Sequence, residues 1–249
     1  MKDEKTSWQE KHFICRRDRG KIMKTVMCFG DSNTYGYIPG SGKRYAWSQR
    51  WTSLLQEKFD DEYFAGKAAE KVRIIEEGLV GRTSIFEDPL RQGRNGSALL
   101  PTLLETHAPL DNVVLMLGTN DCKTVYGASA ELIGKGIEKL ICQIKQVTPD
   151  AKILLMSPIH LGEEVWKEEF DPEFNQNSVE VSKNLKRVYQ KIAAKYGCDF
   201  LAASDVAEPS LEDQEHMTVK GHADLAEAIS ETLHTSGLFD QKVKMKLVG

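Results

Sequence analysis

The sequence predicts an α/β fold: a single domain of three layers, in which a doubly wound, parallel, five-stranded sheet lies between two layers of helices. Short apolar runs alternate with amphipathic runs of helical period from residue 24 to about residue 235. The apolar runs are continuous rather than alternating, as expected for strands that are covered on both faces. No internal repeat, linker or low-complexity tract divides the 249 residues, and this length suits one large domain.

Five apolar runs are the predicted strands. In chain order they are TVMCFG (25–30), VRIIE (72–76), NVVLMLG (112–118), KILLMS (152–157) and CDFLAA (198–203). Strands that alternate with helices in this way form a parallel sheet with helices on both sides. Five of them suit a flavodoxin-like arrangement, in which the functional site lies at the carboxyl ends of the strands.

Five amphipathic runs are the predicted helices. The apolar stripe is clearest in 129–147, and segments 178–195 and 221–235 repeat apolar residues at steps of three and four. Gly237 is a plausible stop for the last of them. Segments 48–58 and 97–107 show a weaker pattern of the same kind.

The domain is expected to span residues 23–237. Residues 1–22 are highly charged and lack periodicity, so we expect a non-catalytic N-terminal extension there and a C-terminal tail at 238–249. The first strand begins just after Met23, which is therefore a candidate natural start. The N-terminus has no apolar h-region, which argues against a signal peptide.

Composition argues against several classes of function. The net charge of -4 gives no electrostatic basis for binding nucleic acid or an anionic membrane, and no apolar run approaches the roughly 18 residues of a membrane span. The five cysteines are scattered without a C-x-x-C pair, which favours a reducing compartment over a disulfide framework or a zinc site. We therefore expect a cytoplasmic protein that binds a small molecule and needs no metal or cofactor.

Polar turns follow three of the predicted strands. They are Gly30-Asp31-Ser32-Asn33, Gly78-Leu79-Val80-Gly81-Arg82-Thr83 and Gly118-Thr119-Asn120-Asp121. Glycine lets backbone amides approach a ligand closely, while serine and asparagine side chains can attack it or donate hydrogen bonds. Past the last strand, Asp213 and His216 stand three residues apart. An aspartate so placed on a turn can reach Nδ1 of the histidine.

Four blocks in this order resemble the SGNH hydrolases, also called the GDSL family. The blocks are Gly30-Asp31-Ser32, Gly81, Gly118-x-Asn120-Asp121 and Asp213-x-x-His216. The strings CFGDSNTYGY, IIEEGLVGRTS and MLGTNDCK further resemble the arylesterase and acyltransferase/perhydrolase branch. The similarity covers residues 24 to about 235, and Asn33 stands where the family name puts leucine.

The resemblance implies a metal-free serine esterase that works through an acyl-enzyme. Ser32 would be the nucleophile, His216 its general base and Asp213 the carboxylate that orients the histidine. The backbone N–H groups of Ser32 and Gly81 and the side-chain amide of Asn120 would form an oxyanion hole. Related arylesterases often self-associate, so a homo-oligomer is a further expectation.

Other assignments compete with this one. His222 is the alternative base and Asp205 the alternative acid, although Asp205 lies eleven residues before His216 in a different loop. Nucleotide binding is the rival function, but GYIPGSGKR (36–44) has one residue too many between its glycines for a P-loop, and arginine follows its lysine. A catalytically inactive binding module is the third class, and the complete set of blocks argues against it.

Aromatic residues near the nucleophile are the predicted lining of the substrate pocket. They are Tyr35, Tyr37, Trp47 and Trp51, with Trp166 from the segment 158–177, which is polar and forms no obvious lid. A narrow, water-poor pocket of this kind would accept acetyl to butyryl groups and would permit acyl transfer to alcohols. The alcohol itself stays open between an aryl group, a small alkyl group and a sugar, the last of which would make the protein a carbohydrate O-deacetylase.

Overall fold

The computed structural model describes residues 23–237, so the predicted extension 1–22 and tail 238–249 lie outside the described residues. Five strands form one sheet in the order β2-β1-β3-β4-β5, and every neighbouring pair is parallel. The strands are β1 (Met23–Gly30), β2 (Lys71–Gly78), β3 (Asn112–Met116), β4 (Lys152–Ser157) and β5 (Asp199–Ala202). The α-helices are α1 (Ser32–Tyr35), α2 (Trp51–Phe64), α3 (Gly96–His107), α4 (Ala130–Val147), α5 (Gln176–Tyr196) and α6 (Val219–Thr235).

The predicted fold class is confirmed, and each predicted strand and helix has a counterpart. The largest shift is in α2, which begins at Trp51 and continues to Phe64. It begins later than predicted because residues 47–49 form a 3₁₀ turn and Arg50 is extended. The four-residue helix α1 was not predicted, since it is too short to show an apolar period.

Two hydrophobic cores cover the two faces of the sheet. Met27 and Phe29 of β1 are buried in the first core, together with the apolar faces of α3, α4 and α5. Val26 and Cys28 of the same strand are buried in the second core, with α2 and α6. Alternate residues of one strand therefore enter opposite cores, which is why its sequence is continuously apolar.

The edge of the sheet at the carboxyl ends of β1 and β3 is the natural place for a site. These strands are neighbours, but the chain leaves β1 towards α2 on one face and leaves β3 towards α4 on the other. Chains that diverge in this way open a crevice at the strand ends. None of the helices within residues 23–237 is long and apolar enough to cross a membrane.

Candidate active site

Ser32 lies at the carboxyl end of β1, where α1 begins. The side chain of Asp31 caps this helix, because its Oδ1 accepts the N–H of Asn33 at 3.0 Å. Ser32 is buried, and its Oγ lies 2.9 Å from Nε2 of His216. The hydroxyl thus has a ring nitrogen within hydrogen-bond reach, as an activated nucleophile requires.

Asp213 binds the other nitrogen of the same ring. Its Oδ2 lies 2.8 Å from Nδ1 of His216, while its Oδ1 accepts the backbone N–H groups of His216 at 2.9 Å and of Glu215 at 3.1 Å. These backbone bonds fix the carboxylate on the turn and aim it at the ring. Burial raises the pKa of Asp213, but the hydrogen bonds and charge of His216 outweigh it and hold that pKa below its ordinary value.

Asn33 joins the turn of Ser32 to the loop of His216. Its Oδ1 accepts the N–H of Met217 at 3.0 Å, and its Nδ2 donates to the carbonyl of Glu215 at 3.3 Å. These two bonds flank His216 on the chain and connect segments more than 180 residues apart. Asn33, which stands where the family name puts leucine, therefore holds the turn of Ser32 against the loop of His216.

Residues 37–44 form a loop between α1 and α2 that contacts Asp213 and His216. Tyr37 and Arg44 pair across it, and the Tyr37 ring lies 4.4 Å from the His216 ring, centroid to centroid. The N–H of Gly40 donates to Oδ2 of Asp213 at 3.0 Å. Gly40 has a φ of +63°, a left-handed conformation that favours glycine.

A buried carboxylate joins the turns that follow β2 and β3. The N–H of Ser84 donates to both carboxylate oxygens of Asp121 at 3.0 Å, and the Ser84 hydroxyl contacts the same group. Next to it, the Asn120 side chain donates from Nδ2 to the carbonyl of Arg82 at 3.1 Å. These contacts place Gly81 and Asn120 on adjoining turns.

Three N–H donors at these strand ends have no acceptor among the residues that the structure describes. They are the backbone amides of Ser32 and Gly81 and the second hydrogen of the Asn120 amide. Gly81 has a φ of +78°, and a Cβ there would lie 2.6 Å from the guanidinium of Arg91, so this position requires glycine. Free donors beside a nucleophile can stabilise an oxyanion.

One cavity of about 320 Å³ contains the hydroxyl, the ring and these donors. It is lined by Ser32, Tyr37, Val80, Gly81, Arg91, Asn120, Lys123, Asp171, Glu173, Glu215 and His216. Five of these side chains besides His216 are acidic or basic, so the lining is polar. A larger cavity of about 380 Å³ near Lys152 and Cys198 contains none of the predicted site residues.

The predicted aromatic lining needs correction, because only Tyr37 lines the cavity. Trp51 is fully buried, and its indole N–H donates to the carbonyl of Asn33 at 3.2 Å. Tyr35 is half-buried, and its ring lies beneath the guanidinium of Arg44. Trp47 is exposed, and its ring lies beneath the guanidinium of Arg50. The Trp166 ring packs against the first core, with its indole N–H on the carbonyl of Glu163.

The competing histidine and aspartate lie outside the cavity. His222 is fully buried near the start of α6, where its Nδ1 accepts the backbone N–H of Trp51 at 3.4 Å. Asp205 forms an ion pair with Lys186 on the surface. Of the candidate bases and acids, the structure therefore brings only His216 and Asp213 to Ser32.

The comparison with family models gives one match. The GDSL-like Lipase/Acylhydrolase family matches residues 28–234. The chain belongs to this family. The resemblance read from the four sequence blocks is therefore confirmed. No curated protein matches the chain by sequence.

Solved structures of esterases are similar over most of the chain. Est24, a carbohydrate acetylesterase from Sinorhizobium meliloti, is 32% identical with a TM-score of 0.76, covering 86% of this chain and 99% of its own. An aryl esterase from M. smegmatis is 30% identical with a TM-score of 0.75, covering 85% and 99%. A putative arylesterase from Agrobacterium tumefaciens is 33% identical with a TM-score of 0.75, covering 86% and 99%.

Charged side chains that are not named members of the family's four blocks are what the sequence reasoning missed. They are Arg91, Lys123, Asp171, Glu173 and Glu215, all of which line the cavity. Two of them had a signal: Glu215 precedes His216, and Lys123 follows Asn120 by three residues. The other three stand in loops with no motif, and only the fold brings them to the site.

The charge around His216 favours its protonated form. Burial lowers the pKa of the ring, but the nearby Glu215 carboxylate and the hydrogen bond that the ring donates to Asp213 outweigh it and raise that pKa above its ordinary value. Glu215 is the larger of the two raising influences, with its Oε2 4.0 Å from Nδ1 of His216. Within residues 23–237, no three His, Cys, Asp or Glu side chains are grouped so that they could hold a metal ion.

Proposed function

We propose that the protein is a serine esterase that hydrolyses short-chain acyl esters through an acyl-enzyme. The observation that carries the proposal is the hydrogen-bonded series Ser32–His216–Asp213, with bonds of 2.9 Å and 2.8 Å. Ser32 and His216 line a cavity that also contains the free N–H donors described above. A serine hydroxyl is a weak nucleophile unless a base takes its proton, and this geometry supplies the base and its orienting carboxylate.

The reaction follows from these positions. Ser32 Oγ attacks the ester carbonyl carbon while its proton passes to Nε2 of His216, and the carbonyl oxygen becomes an oxyanion bound by the N–H donors of Ser32, Gly81 and Asn120. Collapse of this intermediate breaks the bond to the alcohol oxygen, which takes the proton from His216. Water then attacks the acyl-enzyme with the same base, releasing the carboxylic acid and restoring Ser32.

The size and polarity of the cavity support short acyl chains. A space of about 320 Å³ lined by charged groups has little room and little apolar surface for a long chain. Each buried methylene would otherwise contribute about 0.8 kcal/mol, so a long chain loses most of its hydrophobic advantage here. We expect acetate and butyrate esters to be hydrolysed with higher kcat/KM than the laurate ester.

Acyl transfer to an alcohol stays a prediction. This prediction assumes a water-poor pocket lined by aromatic rings. The cavity is lined mostly by charged side chains, so its lining adds no support for acyl transfer. Measuring the partition of product between acid and new ester in alcohol–water mixtures tests it.

A fluorophosphonate probe tests the main proposal. We expect the wild-type protein to be labelled on Ser32 and to hydrolyse p-nitrophenyl acetate, and the Ser32→Ala variant to lose the label and nearly all turnover. Ser157→Ala is the matched control, because Ser157 is also a buried serine at the end of a strand but does not line the cavity. Labelling that persists in folded Ser32→Ala, or a loss of equal size in Ser157→Ala, would contradict the assignment.

A further inference from the structure

Glu215 is a buried carboxylate in the cavity that accepts no hydrogen bond. Its side chain is 9% exposed and lines the cavity beside His216. No N–H or O–H among residues 23–237 donates to its carboxylate, because the Nδ1 of His216, 4.0 Å away, already bonds Asp213. A carboxylate that lines a cavity and has no donor can accept a hydrogen bond from a ligand there.

Lys123 supplies the complementary donor in the same cavity. Its side chain is 9% exposed, and its Nζ contacts the carboxylate of Glu173 and lies 3.7 Å from Oδ2 of Asp171. Its Nζ also lies 5.5 Å from the centre of the Phe174 ring. An ammonium group carries three N–H donors, of which these two carboxylates occupy at most two. Lys123 also lowers the pKa of Glu215 against the larger effect of burial, which raises it, so the two side chains interact electrostatically.

The balance of charges selects against charged ligands. An ammonium group next to Glu215 would meet Lys123 and Arg91, and a carboxylate next to Lys123 would meet Glu215, Asp171 and Glu173. A neutral hydroxyl group avoids both repulsions, since it donates to a carboxylate and accepts from an ammonium group at once.

The alcohol portion of the ester is the part that reaches this pair. The departing alcohol oxygen takes its proton from Nε2 of His216, so that oxygen lies against the ring during the reaction. Glu215 adjoins His216 on the chain; its Oε2 lies 4.0 Å from Nδ1 of the ring, and both side chains line the same cavity. A hydroxyl on a carbon next to the ester bond can therefore reach the wall of the cavity that Glu215 lines.

We propose that Glu215 and Lys123 form a subsite for a neutral hydroxyl group on the alcohol portion of the ester, and that Glu215 is the residue that selects hydroxylated alcohols. This inference rests on the proposed esterase function. It assigns the charged wall of the cavity to recognition of polyols, including sugars, rather than of plain alkyl or aryl alcohols.

The test compares two acetates that differ in the alcohol alone. Glycerol 1-acetate carries hydroxyls beside the ester, and ethyl acetate carries none. The value of kcat/KM for each is measured with the full chain, at a pH where the rate of every variant has reached its plateau. We expect the wild-type protein to favour glycerol 1-acetate and Glu215→Met to reduce that preference by about tenfold or more, the scale for one hydrogen bond to a charged group. Glu215→Gln retains a hydrogen-bond acceptor and the volume of the side chain, so we expect a smaller reduction of the preference. This variant also provides the measurement if Glu215→Met does not fold.

Glu212→Met is the matched control, because Glu212 is exposed, lies in the same loop and does not line the cavity. We expect it to keep the wild-type preference. An unchanged preference in folded Glu215→Met and Glu215→Gln would overturn the subsite while fluorophosphonate labelling still supports the esterase. A wild-type protein that neither reacts with the probe nor hydrolyses either acetate would overturn both.

Discussion

Removal of the Asn120 side chain separates stabilisation of the oxyanion from binding of the ester. The Asn120 amide donates one hydrogen to the carbonyl of Arg82 at 3.1 Å and has the other free for an oxyanion. Asn120→Ala therefore deletes one donor from the transition state, which costs about 2.7–4 kcal/mol, or roughly 10²–10³ in kcat. It also leaves the buried Arg82 carbonyl without this donor, at a cost of about 1–3 kcal/mol in the free energy of unfolding.

The assay measures kcat and KM for p-nitrophenyl acetate together with the free energy of unfolding. We expect kcat to fall and KM to change little, because the negative charge develops only in the transition state. Asn95→Ala is the control for lost stability, since Asn95 caps α3 outside the cavity and its removal costs about 1 kcal/mol. A raised KM with unchanged kcat would refute the oxyanion role, and so would an equal fall in kcat in Asn95→Ala.

Three further predictions concern the base, the pH profile and the acyl chain. His216→Ala should lower kcat by orders of magnitude. His222→Ala loses a contact with the backbone of Trp51 and an edge-to-face contact with the Tyr45 ring, so it should lower stability more than kcat. Equal losses of kcat in folded variants would contradict this assignment. The rate should rise with pH as His216 loses its proton. Glu215→Gln should move that rise to lower pH, because removing a negative neighbour lowers the pKa of the ring. A profile of kcat/KM against pH measures the shift, and a rise that moves to higher pH would contradict the prediction. Laurate esters should be poorer substrates than acetate and butyrate esters in kcat/KM, and a preference for laurate would mean that the cavity opens beyond its 320 Å³.

The elements of the fold could be predicted because each depends on residues close together in the chain. Burial on both faces gives β1 and β3 continuous apolar runs, and burial on one face gives α4 an apolar stripe. The start of α2 could not be placed in this way. It depends on the extended Arg50, whose side chain binds Glu76 on β2 at 2.6 Å, a contact 26 residues along the chain.

The sequence by itself determined the order of the strands and helices. It also determined the four blocks on which the family resemblance rests, which supply a serine, a glycine, an asparagine and an aspartate–histidine pair. Parallel strands bring their carboxyl ends to one edge, so polar turns after separate strands meet whatever lies between them. The resemblance to the SGNH hydrolases named Ser32, Asn120 and His216 before their distances were known.

Only the tertiary structure decided what surrounds these groups. Trp51 lies in the segment that follows Ser32, but its ring is buried in the core. Asp171 stands in a loop without a motif, yet it lines the cavity. The bonds of Asn33 to the loop of His216 likewise join residues more than 180 positions apart. Local periodicity records which face of an element is buried, but the direction of a loop side chain is set by contacts with distant segments, and these exist only once the sheet has formed.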